Sequence, residues 1–286
     1  MRVAVVGPTG VLGRALIPLL LETGQAVRAL ARSPARARAL FPQLADIVAC
    51  DLLAAGPAEL ASALAGCQAV IHIATAIPRD FTAAGAWDAN TRLRTDGVRN
   101  LLAAARAAGV RRYLQQSITM AYPDRGEEWI TEDQALDEAP ERAEVCGPVI
   151  AMERLLHATP PQALAWCILR GGAFVGPDTL QTLTLERLRA GVEVVPGDGR
   201  NFDSLIHVAD MAAAVLAALD HAPAGSTFNI VAEPVRRGDY LDRLAASSGA
   251  PPPRRDPAAR RPPSWRCSNQ AARTVLRWSP RHHLIP

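Results

Sequence analysis

The sequence predicts an α/β protein in which a doubly wound parallel sheet is followed by a smaller C-terminal lobe. Through the first 170 residues, short apolar runs alternate with longer amphipathic segments, and after that point the alternation becomes irregular. Strands separated by helices of this length favour a parallel sheet that is covered by helices on both faces. The change of pattern marks the region where we expect the second lobe to begin.

Each element follows from its pattern. The apolar runs predict strands at residues 2–7, 26–31, 46–51, 69–74, 112–117 and 164–170. The amphipathic segments between them predict helices at 11–23, 34–41, 57–64, 87–108 and 143–157. Further on, the patterns predict helices in TLQTLTLERLRAG and HVADMAAAVLAALDHA, and strands in VEVVPGDG and STFNIVAE.

The segment PPPRRDPAARRPPSWR, residues 251–266, holds five arginines and one aspartate among six prolines. This composition predicts an exposed, extended connection. A nucleic-acid-binding arm is the alternative. We expect no nucleic-acid partner, because basic residues do not recur on another element with interleaved aromatic residues.

Composition limits the classes of protein that fit. With 49% hydrophobic and 21% charged residues, the chain resembles an ordinary globular protein. No apolar run approaches the length of about 18 residues typical of a membrane span, so we expect no membrane partner. The N-terminus MRVAVVGPTG has no basic region followed by a long apolar stretch, which predicts a cytoplasmic protein.

The metal-binding residue types are dispersed. No two of the five cysteines form a C-x-x-C pair, and only His282 and His283 of the six histidines are close together in sequence. We therefore expect no metal site, and reduced cysteines that are mostly buried.

The chain has no lysine, so all 31 basic residues are arginine. Arginine stays protonated, and no cationic side chain here can form a Schiff base or act as an easily tuned amine. A GC-rich coding bias explains this composition, but the chemical limit holds whatever the cause.

A glycine-rich turn, GPTGVLG, lies between the first predicted strand and the first predicted helix. Glycine lets the backbone turn tightly and approach a pyrophosphate, whose charge is met by free amides at the helix start. The position of the turn near residue 1 makes it a strong dinucleotide-binding signal. The predicted cofactor contacts are Gly7, Thr9, Gly10, Val11, Leu12 and Gly13.

The end of the second strand predicts which cofactor binds. NAD sites usually offer an acid to the ribose 2′-hydroxyl about 20 residues beyond the glycines, but this chain has Arg32 and Ser33 there. An arginine suits the 2′-phosphate of NADP through charge-assisted hydrogen bonds. The sequence therefore predicts NADP as cofactor; a solvated arginine at a strand end is the alternative.

Taken in order, these and later motifs resemble the extended, atypical short-chain dehydrogenases/reductases of the NAD-dependent epimerase/dehydratase kind, which have a Rossmann-type sheet. The resemblance runs almost end to end, through GPTGVLG, VIHIATA, RRYLQQSITMAYPD, WITEDQAL, LRGGAFVGPD, VVPGDGRNFDSLIHVADMAAAVLAAL, FNIVAE and SNQAARTVLRWSP. It implies an NADP-binding domain at 1–171 and 205–228, and a substrate-binding lobe at 172–204 and 229–286. It also implies cofactor contacts at Asp51 and Leu52 (adenine), at Ala74, Thr75 and Ala76 (nicotinamide ribose), and at Gly171 and Gly172 (nicotinamide).

The family's usual Tyr-x-x-x-Lys is absent. Counting back from Glu153 in EVCGPVIAMERLL puts Val145 and Val149 at those positions, and a shift by one residue puts Cys146 and Ile150 there. Ile118 takes the place where the catalytic serine is expected. Arg94 stands where the family often has asparagine, and Asn90 lies one turn earlier. Without any lysine, no alignment restores the usual proton relay.

Ser117 and Thr119 are the remaining candidates for catalysis, as hydrogen-bond donors to a carbonyl oxygen; closing the strand end is their alternative role. Tyr122 could swing toward a pocket or simply pack. Cys146 lacks an evident cation to activate it, so burial is favoured. His72 and His207 read as packing histidines.

The resemblance implies an NADPH-dependent ketoreductase whose proton comes from water, from a hydroxyl such as that of Ser117, or from the substrate itself. It includes ketoreductases that tailor aromatic polyketides, such as the angucyclinone part of simocyclinone, so the expected partner is a small-molecule ketone, polycyclic and aromatic. Five apolar side chains lie in loops or at element ends and could contact a flat ligand: Trp87, Met120, Trp129, Phe174 and Phe202. Ordinary core packing is the alternative role for each of them. The alternatives are a catalytically silent NADP-binding sensor or docking protein, an epimerase or dehydratase of sugar nucleotides, and a cyclase or isomerase without redox chemistry; the sequence does not determine the oligomeric state.

Overall fold

A computed structural model of the chain describes residues 1–78 and 83–286. Its strands are β1 (Arg2–Val6), β2 (Ala26–Ala31), β3 (Asp46–Ala49), β4 (Ala69–His72), β5 (Arg112–Ile118), β6 (Trp129–Ile130), β7 (Ala165–Gly171), β8 (Ala173–Val175), β9 (Val194–Pro196), β10 (Phe202–Asp203), β11 (Leu205–His207), β12 (Ser226–Ile230), β13 (Val235–Arg236), β14 (Arg254–Asp256) and β15 (Arg266–Cys267).

The helices are α1 (Val11–Glu22), α2 (Pro34–Leu40), α3 (Pro57–Ala63), α4 (Asp88–Arg92), α5 (Val98–Ala107), α6 (Ala143–His157), α7 (Leu180–Arg189), α8 (Val208–His221), α9 (Arg237–Ser247) and α10 (Gln270–Val275). A π-helical segment, Leu93–Gly97, joins α4 to α5. Within the described ranges, no helix is long and apolar enough to cross a membrane.

The main sheet has seven strands in the order β12-β7-β5-β4-β1-β2-β3. The pairs β1–β2, β2–β3, β1–β4 and β4–β5 are parallel, which confirms the predicted doubly wound α/β fold. From β1 the chain builds outward to β3 and then returns to place β4 on the other side of β1. Ligands of such sheets bind beyond the carboxyl ends of the strands where the order reverses, here β1 and β4.

The central strands are apolar because helices cover them on both faces. Residues 3–6 of β1 and all of β4 are buried, as expected for a parallel strand without a solvent face. In the sequence, Val3–Val6 and Ala69–Ile71 therefore form continuous apolar runs and do not alternate between apolar and polar residues.

The chain divides into two compact units. Unit 1 contains Met1–Ser117, Glu138–Leu169 and Val215–Thr227, and unit 2 contains Ile118–Asp137, Arg170–Ala214 and Phe228–Pro286. Unit 2 includes residues that the predicted boundaries assign to the first domain, namely 118–137, 170–171, 205–214 and 228. Unit 2 has its own small strand pairs, parallel for β8–β11, β9–β14 and β6–β15 and antiparallel for β10–β13.

Two segments differ from expectation. The predicted helix 87–108 is interrupted by the π-helical segment, and Gly97 at its end approaches Leu52 so closely that a Cβ would lie 3.1 Å from that side chain. The predicted exposed connection 251–266 contains β14, whose backbone pairs with β9. The arginines of residues 251–266 are mostly exposed, as expected. The backbone of the segment is nevertheless held by its pairing with β9 and is not a free extended connection.

Candidate active site

The turn after β1 requires glycine at two positions. Gly7 has φ +94°, and a Cβ there would lie 2.7 Å from Ala74 Cα. A Cβ on Gly13 would lie 2.2 Å from the carbonyl oxygen of Pro8. Gly7 thus lets the loop after β1 touch the loop after β4, and Gly13 lets α1 pack on the turn.

The start of α1 can receive an anion. Gly10 is the N-cap and has no side chain to satisfy the first amides of the helix. Thr9 and Val11 are half-buried, Gly10 is exposed, and Leu12 is buried in the core. Free amides and the helix dipole favour a phosphate at this position.

The end of β2 carries an unpaired cation. Arg32 is exposed and has no hydrogen-bond or ion-pair partner among the described residues. Ser33 is the N-cap of α2, and its Oγ accepts a hydrogen bond from the Arg36 amide at 3.3 Å. The guanidinium of Arg32 is therefore free to bind a phosphate.

The loop after β3 places one polar and one apolar residue side by side. Asp51 is exposed, and its Oδ1 accepts from the Leu53 amide at 3.0 Å. Leu52 is 5% exposed. The carboxylate is thus engaged in its own turn, while the leucine packs inward.

The loop after β4 is held by a helix side chain. Asn90 on α4 is 6% exposed, and its Oδ1 accepts a hydrogen bond from the Ala76 amide at 3.2 Å. Ala74 is half-buried and Thr75 is exposed. The loop predicted to line the nicotinamide ribose is therefore fixed at one end by Gly7 and at the other by Asn90.

The helix α6 contributes a carboxylate. Glu153 is 2% exposed, and Ser117 Oγ donates a hydrogen bond to Glu153 Oε1 at 2.6 Å. Val149 and Cys146 are fully buried, as favoured for the cysteine, and Val145 is half-buried. At the positions of the missing Tyr-x-x-x-Lys, the described helix thus carries no phenol or amine, and its one thiol, that of Cys146, is buried.

The π-helical segment places Arg94 in the interior of unit 1, where it is 4% exposed. Burial lowers the pKa of Arg94 to about 10, while the charge of Glu153 acts in the opposite direction. Arg94 Nη1 lies 3.6 Å from the sulfur of Met152, a weak acceptor. Arg94 is therefore a buried cation with little hydrogen bonding.

His72 is a core histidine, as expected. It is 1% exposed, and its Nδ1 lies 2.9 Å from Gln115 Oε1. Tyr113 donates to the same amide oxygen at 3.1 Å. Burial lowers the pKa of His72 to about 4, so its imidazole is neutral near pH 7.

Unit 2 contains the other predicted hydroxyl. Thr119 is fully buried, and its Oγ1 donates to the Gly171 carbonyl at 3.4 Å. A Cβ on Gly172 would lie 2.6 Å from the carbonyl oxygen of Ser204. Gly171, the last residue of β7, and Gly172, which follows it, thus lie against hydroxyl and backbone groups of the same unit.

Tyr122 is locked in place. Its hydroxyl donates to Asn229 Oδ1 at 3.0 Å and accepts from Arg170 Nη1 at 2.5 Å. Burial raises the pKa of this fully enclosed phenol. It packs, and does not swing toward a pocket in this arrangement.

His207 belongs to a cluster that fastens the C-terminal residues to α8. Its Nδ1 accepts from the Ala209 amide at 3.2 Å, and its ring stacks on His282 at 4.6 Å between centroids. His282 Nδ1 lies 2.8 Å from Asp210 Oδ1. His207 is thus a packing residue, as expected.

Two of the aromatic side chains considered for a flat ligand, Trp129 and Phe202, lie against arginines. The guanidinium of Arg266 lies 4.2 Å from the ring centre of Trp129, and that of Arg236 lies 3.9 Å from Phe202. Phe202 is 8% exposed, whereas Trp129 is 48% exposed. Among these aromatics, Trp129 offers accessible surface and Phe202 serves packing.

All five cysteines are free and buried, which confirms that expectation. Within residues 1–78 and 83–286, no group of three His, Cys, Asp or Glu side chains could hold a metal ion.

Sequence reasoning missed two contacts. The first is the hydrogen bond from Ser117 to Glu153, a residue that the sequence analysis uses only to align the helix with the family motif. The second is the hydrogen bond from the Ala76 amide to Asn90. Two signals bear on them. Tyr113, Gln115 and Ser117 alternate along β5, which puts polar groups on one face of the sheet, and Asn90 and Arg94 are four residues apart within the predicted helix 87–108.

Comparison with known proteins places these features in a family context. The model of the NAD dependent epimerase/dehydratase family matches residues 3–231. The 3-diazoavenalumate denitrifying reductase of a Streptomyces species is 35% identical, covering 99% of this chain and 97% of that protein. The 2-alkyl-3-oxoalkanoate reductase of Stenotrophomonas maltophilia is 30% identical, covering 88% and 77%.

Among solved structures, DesIV, a dTDP-glucose 4,6-dehydratase of Streptomyces venezuelae with NAD and TYD bound, superposes with a TM-score of 0.84. It is 22% identical, and the match covers 99% of this chain and 93% of that one. At this identity the similarity concerns the fold.

Proposed function

Since this chain belongs to the NAD dependent epimerase/dehydratase family and is an NAD(P)-dependent oxidoreductase, we propose that it reduces a small-molecule ketone with NADPH and takes the proton from water or from the substrate. One observation carries this proposal. Each of the three hydroxyls considered for catalysis already donates its proton inside the protein: Ser117 to Glu153, Thr119 to Gly171 and Tyr122 to Asn229.

The residues of unit 1 suit a dinucleotide. The Gly7 turn and the open start of α1 would receive the pyrophosphate, and the loop held by Asn90 would border the nicotinamide ribose. The unpaired guanidinium of Arg32 would bind the 2′-phosphate. When bound, NADPH supplies the hydride.

Because these three hydroxyls are engaged within the described part of the chain, one substrate class is favoured. Hydride addition to a ketone creates a negative charge on oxygen, which must be met by a proton or a hydrogen bond. A ketone bonded internally to a neighbouring phenol carries its own donor. Unit 2 has exposed apolar side chains, Trp129, Leu180 and Leu183 among them, and a flat aromatic ketone is a ligand that such side chains can contact.

The test is a panel assay that follows NADPH oxidation by absorbance. Phenol-bearing polycyclic ketones are compared with simple ketones and nucleotide sugars, and a Gly7→Ala variant controls for cofactor binding. Turnover of phenol-bearing ketones at least tenfold above simple ketones supports the proposal. Tight NADPH binding without turnover favours the silent sensor, and turnover confined to nucleotide sugars favours the epimerase or dehydratase.

Hydride transfer to a diazo compound is a second candidate, favoured by the 35% identical relative named for 3-diazoavenalumate. An aryldiazonium ion already carries the positive charge that a ketone acquires only from an acid. On accepting a hydride it forms an N–H bond and becomes a neutral diazene, which loses N₂ and leaves a C–H bond. No net proton is consumed, so the site needs no acid.

A phenol-bearing aryldiazonium salt added to the same panel separates the two candidates. The diazo candidate predicts one N₂ released and one arene formed for each NADPH oxidised. NADPH oxidation by the ketones alone, with no N₂ above the enzyme-free control, excludes it and leaves the ketoreductase.

A further inference from the structure

Residues 281–286, which we call the strap, are attached to unit 2 through side chains. They follow Trp278, whose indole Nε1 donates to the carbonyl of Asp210 at 3.0 Å. Within the described part of the chain, the strap forms no hydrogen bond from its own backbone to another backbone group. Its hydrogen bonds go instead to the side chains of Asp210 and Gln181. The strap is therefore held at two separate anchors and not by a strand ladder.

The first anchor is a buried carboxylate. Asp210 lies in the first turn of α8, and its side chain is 3% exposed. Its Oδ1 accepts from the Arg281 amide at 3.0 Å and lies 2.8 Å from His282 Nδ1, and its Oδ2 accepts from the His282 amide at 2.9 Å. These three bonds are all that the described residues offer this carboxylate. Because a buried charge without partners is costly, Asp210 favours the attached strap.

The second anchor is an amide that also holds a loop. Gln181 is 6% exposed, and its Nε2 donates to the carbonyl of Leu284 at 2.7 Å and to the hydroxyl of Tyr240 at 2.8 Å. Its Oε1 accepts from the Gly176 amide at 2.9 Å. Leu284 and Ile285 pack beside it on the apolar cluster of unit 2. One side chain thus connects the strap to the loop 176–179, which joins β8 to α7.

A pair of imidazoles makes a second connection between the strap and this loop. The ring of His207 stacks on that of His282, with centroids 4.6 Å apart and planes 10° apart. The other side of the contact is Gly176, where a Cβ would lie 2.5 Å from His207 Nε2. The strap, the imidazole pair and the loop are therefore packed in direct succession.

The loop 176–179 has a backbone that benefits from outside support. Gly176 has φ +104° and Asp178 has φ +60°, and the latter lies in the left-handed region that disfavours residues with a side chain. Thr179 Oγ1 donates to the Gly176 carbonyl at 2.7 Å, which is support from within the loop. The Gly176 amide, in contrast, depends on Gln181.

We propose that the strap sets the conformation of the loop 176–179 and of the start of α7, so that detaching residues 281–286 releases both. Leu180 and Leu183 at the start of α7 are 56% and 53% exposed. The strap then positions these two side chains toward a ligand. This last step rests on the proposed function, in which a flat ketone contacts them; the effect on the loop does not.

Hydrogen exchange at the Gly176 amide tests the proposal without any ligand. His282→Ala removes the ring that stacks on His207 and leaves Gly176 and Gln181 unchanged. A chain that ends at Pro280 removes the strap altogether. We expect the Gly176 amide to exchange at least tenfold faster in both variants, because the loop opens locally more often once this support is lost.

Two controls separate this effect from a general loss of stability. His283→Ala, at an exposed side chain of the strap, should leave the exchange rate of Gly176 unchanged. The Ser268 amide, which donates to the Ile130 carbonyl at 2.8 Å in the same unit, should keep its rate in every variant. Gly176 rates within twofold of wild type in both strap variants overturn the proposal, since the loop then supports itself. An equal acceleration at Ser268 also overturns it.

Steady-state kinetics test the effect on the ligand. For a ketone that the panel shows to be turned over, His282→Ala should raise KM at least threefold and change kcat less than twofold, whereas His283→Ala changes neither. An unchanged KM together with faster exchange at Gly176 overturns the positioning role. If no ketone is turned over, the proposed function fails, and exchange at Gly176 still decides whether the strap holds the loop.

Discussion

Ser117 Oγ lies 2.6 Å from Glu153 Oε1, and both side chains are buried in unit 1. The hydroxyl proton therefore points at a carboxylate and not at an outside acceptor. This contact gives the helix without tyrosine or lysine a role that is not acid catalysis: its carboxylate holds the end of β5.

Removing the candidate hydroxyls should leave hydride transfer largely intact. We expect Ser117→Ala and Thr119→Val to change kcat less than threefold, because neither proton is free for the substrate. A general acid typically contributes about 10²–10⁴-fold. A loss of that size in single-turnover NADPH oxidation would restore the hydroxyl to the catalytic role that the sequence predicts.

Ser117→Ala should instead reduce stability by about 1 kcal/mol, because the buried Glu153 carboxylate loses one of its hydrogen bonds. Glu153→Gln is the matched comparison, since the amide oxygen can still accept from Ser117. Urea unfolding of both variants tests this; equal stability of Ser117→Ala and wild type would show that the bond contributes nothing net.

Arg32 should determine cofactor choice. We expect the unmutated protein to bind NADPH at least tenfold more tightly than NADH, and Arg32→Ala to remove the difference. Arg38→Ala, at an exposed arginine on α2, should leave this ratio of affinities unchanged. Titration calorimetry with both cofactors measures the ratio, and equal affinities in the wild type refute the assignment.

Gly7→Ala should abolish cofactor binding. The new Cβ would lie 2.7 Å from Ala74 in a backbone conformation that already disfavours a side chain. Gly24→Ala is the control: its φ of +76° is similar, but no atom lies within 4 Å of the methyl group that the substitution adds. The control should lose about 1–2 kcal/mol in urea unfolding and keep its NADPH affinity.

Asn90 should act through the loop that it holds. We expect Asn90→Ala to raise the Kd for NADPH about tenfold, because Ala76 loses its acceptor. Asn90→Asp keeps an acceptor oxygen in the same place and should recover much of the affinity. Unchanged binding by both variants would mean that the loop keeps its conformation without this bond.

His72 should make stability depend on pH. Its pKa is about 4 in the folded protein and about 6.5 when unfolded, so the folded state opposes protonation. The stabilisation that the neutral His72 gives to the folded state is fully present above pH 6.5. It is lost as the pH falls toward 4, which lowers the free energy of unfolding by roughly 3 kcal/mol in all. Urea unfolding across this range measures the free energy of unfolding at each pH. The slope of that free energy against pH should differ between wild type and His72→Gln only below pH 6.5.

The sequence by itself determined the parts of this protein that depend on neighbouring residues. Alternating apolar and amphipathic segments predicted the parallel sheet, and helix 143–157 was predicted with the bounds that α6 has. Gly7 and Gly13 identified the turn, because a tight backbone conformation leaves a local signature. The absence of lysine excluded the usual proton relay on composition alone, because no folding of the chain can supply a residue that it lacks.

Only the tertiary structure decided which polar groups meet. Ser117 and Glu153 are 36 residues apart, and Asn90 and Ala76 are 14 apart. No local pattern reports which helix face lies over which strand, because that depends on packing between elements distant in sequence. The free or engaged state of each hydroxyl, and hence the chemistry open to the site, follows from that packing.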